Sequence, residues 1–229
     1  MISRKHKIIM VHIPKNAGVS IQRYFNEGTE GGHITWDQYE VSFPDEYKAF
    51  IKFSVARNTW DWYTSLFRYF FYQEKGEHYK DDFSIREARQ ESYRKGVHNF
   101  DDSIEKNVRL RKRGGTAIMY KPQYEYVYDE NNTLMVDKLF HFDEIDKCWA
   151  WLMSEIGEKD DMPEVNRIPS GHHYSAYYND EMAEKVGKLY KKDIKLFNFK
   201  FERKEEFNEN LAFGRVDGEN NYETIKLRG

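Results

Sequence analysis

Two short stretches stand out along the chain. Lys7 to Ile13 is a short apolar run that ends at Pro14, and Ile51 to Ala56, interrupted by Lys52 and Ser54, ends at Arg57. A continuous run of this length fits a strand buried on both faces, as in the middle of a parallel sheet, and the second stretch reads as another buried strand. Elsewhere the apolar period lengthens. Val19 to Phe25 places Ile21, Tyr24 and Phe25 on one helical face. Thr59 to Tyr72 predicts a longer helix, with Asn58 or Thr59 available as its cap. Ser103 to Arg113 predicts a basic helix stopped by Gly114-Gly115. Leu134 to Phe142 contains strand material, Phe142 to Ile156 predicts an amphipathic helix ended by Gly157, and Asn179-Asp180 caps a last long helix to about Lys192. Strands alternating with helices predict an α/β domain of three layers around a mostly parallel sheet. That domain spans residues 1–201, and the polar stretch 202–229 predicts an arm or irregular tail.

Composition narrows the partners. The 229 residues suffice for one sizeable core. Charged residues make up 33% of the chain but the net charge is only −3, so no basic field points to nucleic acid and any anion site must be built locally. Aromatic residues at 17% suit a packed α/β core with an aromatic-lined cleft. The single cysteine, Cys148, lies in the apolar run Cys148-Trp149-Ala150-Trp151-Leu152 and reads as a buried helix residue. The basic start, Met1 to Lys7, precedes only about six apolar residues, too few for a signal-peptide core or a membrane span. A cytoplasmic protein with no membrane span is the expectation.

Candidate chemistry gathers where the two apolar runs end. The first is followed by Pro14-Lys15-Asn16-Ala17-Gly18-Val19-Ser20 and then a helix. A small-residue turn at a helix N-terminus presents backbone N–H groups and the positive end of the dipole to an anion. Lys15 adds a mobile charge and Ser20 a hydroxyl. The nucleotide-triphosphatase pattern GxxxxGK[ST] is absent, since Lys15 precedes Gly18. After the second run come Arg57-Asn58-Thr59-Trp60-Asp61-Trp62-Tyr63-Thr64-Ser65. Arg57 falls at the carboxyl end of a strand, where open α/β sheets bind ligands, and offers a planar fork matched to phosphate. Ser65 is about two helical turns further on. Two anion-ready turns in one sheet suit a nucleotide with phosphates at both ends.

These residues carry a resemblance. Val11-His12-Ile13-Pro14-Lys15-Asn16-Ala17-Gly18-Val19-Ser20 resembles the 5'-phosphosulfate-binding motif of the carbohydrate-type sulfotransferases. Val55-Ala56-Arg57-Asn58 with Ser65 resembles that family's 3'-phosphate-binding motif. The likeness runs on through Lys121-Pro122-Gln123-Tyr124, Val136-Asp137-Lys138 to Phe142-Asp143-Glu144, and Tyr177-Tyr178-Asn179-Asp180 to Phe197-Asn198-Phe199, covering most of residues 7–201. The chain departs from the pattern at Asn16, where Thr or Ser is usual, at Thr59, usually Pro, and at Trp62, often Arg. Asn16 keeps donor capacity.

The resemblance implies a P-loop-like sulfotransferase fold and transfer of a sulfuryl group from 3'-phosphoadenosine 5'-phosphosulfate to an acceptor hydroxyl, a glycan or small molecule. It implies that Lys15, Asn16, Ala17, Gly18, Val19 and Ser20 hold the 5'-phosphosulfate, and Arg57 and Ser65 the 3'-phosphate, with Arg167 reaching the nucleotide from a loop. Lys15 would stabilise the leaving oxygen. His33, in Gly31-Gly32-His33-Ile34-Thr35, resembles the family's base-bearing loop, and a histidine is suited to take a proton near neutral pH. Glu27 and Glu30 are rival bases. No metal is expected: His172 and His173 are adjacent, so their side chains point apart, and no matching ligand spacing accompanies them. The basic stretch Lys106 to Arg113 reads as a solvated helix face, or as a contact for an anionic glycan. A non-catalytic nucleotide- or glycan-binding module on the same fold, or a nucleotide-dependent kinase, is the alternative.

Overall fold

The computed structural model describes residues 1–25, 32–71, 91–92, 94–115, 120–163 and 171–214. The chain divides into two compact units that interleave in sequence. The first comprises Met1–Thr59, Lys121–Arg167 and Lys191–Lys200; the second comprises Trp60–Tyr120, Ile168–Tyr190 and Phe201–Gly229.

The first unit is built on a four-stranded sheet, β1 (Ile2–Ser3), β2 (Ile8–Met10), β3 (Ile51–Ala56) and β4 (Lys138–His141), in that spatial order. β1 pairs antiparallel to β2, and β2, β3 and β4 run parallel. The ladder of β2 is shorter than the apolar run that predicts it, although Val11 N–H still donates to the Phe53 carbonyl at 2.9 Å. Consecutive apolar residues are needed because both faces are covered. Ile9, Val11 and Ala56 pack with Tyr39, Tyr47, Tyr126, Val127 and Phe197. Those five come from α2 (Trp36–Ser42), α3 (Pro44–Ala49), α6 (Tyr124–Val127) and α9 (Lys191–Phe197). Ile8, Met10, Phe53 and Val55 pack instead with Ile21 and Phe25 of α1 (Gly18–Phe25) and with Cys148, Trp149, Leu152 and Met153 of α7 (Ile145–Ile156). Burial pushes the Cys148 thiol up to about 12, which leaves it an inert core group. An α/β unit with a mostly parallel sheet is therefore as expected.

The second unit is helical. It contains α4 from Trp60 onward (α4 spans Thr59–Phe71), α5 (Phe100–Lys112), a 3₁₀ turn at Tyr174–Tyr177, α8 (Asp180–Leu189) and α10 (Glu209–Phe213). Its core is aromatic. Phe100 meets Tyr63, Phe67, Tyr177 and Tyr178 edge to face, the arrangement that ring quadrupoles favour. Two of its polar groups are bonded inside: Tyr178 Oη donates to the Trp60 carbonyl at 2.9 Å, and Asn107 Nδ2 donates to Tyr63 Oη at 2.9 Å.

Several boundaries differ from expectation. α5 starts at Phe100 rather than Ser103, because Asn99 caps it by accepting from Asp102 N–H at 2.9 Å. The helix expected from Phe142 begins at Ile145, after a 3₁₀ turn at Phe142–Glu144, and ends on Gly157 in the left-handed conformation, φ 73°. Asn179 caps α8 as its type predicts, accepting from Met182 N–H at 2.8 Å. The expected single helix to Lys192 instead breaks at Tyr190, where the chain passes from the second unit to the first and α9 begins. The polar stretch after Glu202 is not wholly irregular: it holds α10, and Arg203 donates to the Tyr178 carbonyl at 2.9 Å and to Asp180 at 2.8 Å. No described helix is long and apolar enough to cross a membrane.

Candidate functional site

The carboxyl ends of β2, β3 and β4 deliver their following loops to one edge of the sheet, as parallel strands must. After β2 the chain turns sharply through residues 14–17 into α1. Lys15 and Ala17 both take left-handed backbone, φ 68° and 61°, with Asn16 at ordinary negative φ between them. Left-handed conformations cost a residue with a side chain roughly 1 kcal/mol each, so the turn is held by its surroundings. An alternation of this kind turns successive N–H groups toward one concavity, which attracts anions. Within the turn Asn16 N–H donates to the Ile13 carbonyl at 3.3 Å, and the first N–H groups of α1, starting at Gly18, lie outside the helix's own ladder.

What holds the turn is a buried polar network. Asn16 is fully buried and spends both amide hydrogens internally, on the Val55 carbonyl at 2.8 Å and on Gln123 Oε1 at 2.9 Å. The donor capacity expected of its side chain is thus spent within the fold. Gln123, also fully buried, accepts from Arg57 N–H at 3.0 Å and donates to the Arg57 carbonyl at 2.7 Å. The buried carboxylate of Asp193 fixes Gln123 in turn, accepting its N–H at 3.0 Å and that of Tyr124 at 2.7 Å, where it caps α6. One glutamine therefore clamps the end of β3 to the turn after β2.

Arg57 completes the link. Its Nη1 donates to the Lys15 carbonyl at 3.1 Å, and its guanidinium carbon lies 4.3 Å from the centre of the Phe142 ring, just beyond β4. The two sequence motifs thus meet, joined by a hydrogen bond between residues 42 positions apart.

His12 lies beneath this edge, 93% buried in the extended stretch after β2. Gly18 does not take positive φ; a Cβ on it would sit 1.9 Å from His12 Nε2, so glycine is required there for close approach rather than for backbone freedom. The His12 ring also packs on His33, centroids 4.2 Å apart and planes at 47°. His33 Nδ1 points at the His12 carbonyl at 3.3 Å. Just past it, Gln38 Oε1 accepts from Thr35 N–H at 2.9 Å, which anchors the loop into α2. Desolvation holds His12 well below the ordinary histidine value, and the positive charges of His33, the chain's amino terminus and Lys15 push the same way. His33 remains exposed overall, yet crowding at its ring lowers its pKa, with the bond to the His12 carbonyl opposing and Lys15 assisting. Both rings feel Lys15, so the lysine, the two histidines and Gly18 form one cluster.

Other predicted residues fall elsewhere. Val19 is exposed at the start of α1 and Ser20 is buried in its first turn. Ser65, half-buried on α4, belongs to the second unit. Arg167, Glu27 and Glu30 lie outside the described residues. His172 and His173 separate as expected: His172 Nδ1 meets Glu205 Oε2 at 3.1 Å, and His173 Nδ1 meets Ser175 Oγ at 3.0 Å. Among the described residues no three His, Cys, Asp or Glu side chains gather in a way that could hold a metal ion. Lys106 is partly desolvated and Arg111 lies 5.8 Å from the Tyr190 ring, so the basic helix is not wholly a solvated face. Sequence reasoning missed His12, Gln123, Asp193 and Phe142 as site builders. The available signal for His12 was a lone polar residue inside an otherwise apolar strand.

Comparison with protein-family models, with curated proteins and with solved structures found no match to this chain.

Proposed function

We propose that the chain is a cytoplasmic sulfotransferase with a P-loop-like fold. It moves a sulfuryl group from 3'-phosphoadenosine 5'-phosphosulfate to a hydroxyl of a carbohydrate or other small acceptor. The observation that carries this reading is the hydrogen bond from Arg57 to the Lys15 carbonyl, since it puts the two anion-ready turns side by side at one sheet edge. A donor with a phosphate at one end and a phosphosulfate at the other needs two such sites within a nucleotide's length. The residues present suit it chemically: a backbone concavity of N–H groups beside Lys15 for one end, a guanidinium for the other, and a neutral imidazole near by.

Bound there, the donor supplies an activated sulfuryl group. The turn at Lys15 to Gly18 orients that end, and Arg57 takes the 3'-phosphate. Nε2 of His33 accepts the acceptor's hydroxyl proton as the acceptor oxygen bonds to sulfur. Lys15 holds the negative charge left on the bridging oxygen as its bond to sulfur breaks. A pKa held below the ordinary value of about 6.5 keeps His33 unprotonated at neutral pH, ready to act as a base.

A thermal-shift panel tests the reading, because a ligand that binds only the native state raises its stability. Stabilisation by adenosine 3',5'-bisphosphate in the presence of EDTA, with none from ATP-Mg, is expected. The reverse pattern would move the assignment to a kinase.

A further inference from the structure

We propose that His12 is a positioning residue: its buried ring is the spacer that fixes His33 against the turn at Gly18 and so aims Nε2 of His33 outward. The catalytic consequence rests on the sulfotransferase reading, but the spacer geometry does not. One edge of the His12 ring occupies the volume that a Cβ of residue 18 would fill, and its face carries His33 at 4.2 Å between centroids. The imidazole is thus wedged between the backbone that would cradle the transferred group and the side chain that would take the proton.

The same residue sets the tautomer. A carbonyl can only accept, so His33 Nδ1, facing the His12 carbonyl at 3.3 Å, carries the ring hydrogen, and the lone pair is on Nε2. At 3.3 Å this bond is long, and it cannot hold the ring unaided. The His12 ring packed against it, its plane tilted by 47°, supplies the missing constraint. Burial keeps the His12 ring neutral and Lys15 opposes its protonation, so the spacer adds no charge beside the base. An aliphatic side chain would fill the space but lacks the rigid planar ring against which His33 packs.

The experiment is nitrogen-15 NMR of the His33 ring in folded wild type, His12→Leu, His12→Phe and Gly18→Ala. In wild type His33 is expected in the Nδ1–H form with a titration midpoint below about 6.5. His12→Leu should mix the tautomers and move the midpoint up toward that value, while His12→Phe, which keeps a flat ring, should restore the wild-type spectrum. Gly18→Ala should perturb His33 without touching it, by pushing the spacer from the other side, and it serves if the leucine variant does not fold. A wild-type His33 spectrum in the folded leucine or alanine variant overturns the proposal. Calorimetry with adenosine 3',5'-bisphosphate on the wild type is run in parallel: no binding would remove the sulfotransferase reading, while the ring spectra would still decide the spacer role.

Discussion

The protein holds two histidine pairs with opposite construction. His172 and His173 are neighbours in sequence, yet they share no work. His172 meets Glu205 Oε2 at 3.1 Å, and Glu205 Oε1 accepts the backbone N–H of His173 at 2.7 Å, so the carboxylate fastens the arm after Phe201 within the second unit. His12 and His33 are 21 residues apart, yet their rings pack together where desolvation, assisted by Lys15, opposes protonation. The Glu205 carboxylate, bonded both to the His172 ring and to the His173 backbone, makes a strut. Cationic, desolvated surroundings favour the neutral ring, which can accept a proton or act as an uncharged spacer. Surroundings assign the role, and sequence adjacency does not.

The contrast can be broken most severely by removing His33. His33→Ala should lower kcat by about 10²–10⁴, the usual contribution of a positioned base. His172→Ala should leave kcat within about twofold, since an exposed ion pair contributes roughly 1 kcal/mol or less to stability and nothing to chemistry. Steady-state turnover of both variants checks this, and equal losses would erase the distinction.

Arg57→Ala should weaken adenosine 3',5'-bisphosphate by about 1.5–3 kcal/mol, the scale of a lost charge-assisted hydrogen bond. Adenosine 5'-phosphosulfate, which lacks the 3'-phosphate, should lose far less. Calorimetry with the two ligands decides whether Arg57 reads that phosphate. A comparable effect on stability alone is expected from Asn16→Ala. It strands the buried Val55 carbonyl and removes one partner of Gln123, which should cost about 2 kcal/mol in denaturant unfolding.

The smallest effect concerns pH. A histidine whose folded pKa is depressed binds its proton more readily in the unfolded chain, so its contribution is present above about pH 6.5 and is lost as pH falls below that. Burial puts His12 in that class. Stability should therefore decline on acidification from pH 6.5, and His12→Phe should flatten the decline. Urea unfolding across pH 5 to 7.5 gives the comparison.

Much of the frame was legible because β2 is buried on both faces and lies in a short apolar run, while Phe53, Val55 and Ala56 mark the buried end of β3. Gly157 and Asn179 were legible because a left-handed stop and an Asx cap act locally. The helices of one or two turns, α2, α3 and α6, were not, since such lengths show no period. The break at Tyr190 was invisible because it marks where the chain changes units, a tertiary event. In the site, Lys15, Arg57 and His33 could be picked out by their place after strands and glycines. Gln123 could not: its role depends on Asn16, 107 positions away, and on a buried aspartate in α9. The internal bonding of Asn16 was hidden in the same way, its amide being polar chemistry that the fold itself consumes.

The most direct measurement of the central claim is mass spectrometry of acceptor panels, sugars and small alcohols among them, incubated with the protein, 3'-phosphoadenosine 5'-phosphosulfate and EDTA. The account predicts an acceptor heavier by one sulfuryl group, formed together with adenosine 3',5'-bisphosphate and absent when Lys15→Ala replaces the wild type. Phosphorylated acceptors from ATP-Mg, with no sulfated product from any panel member, would contradict it.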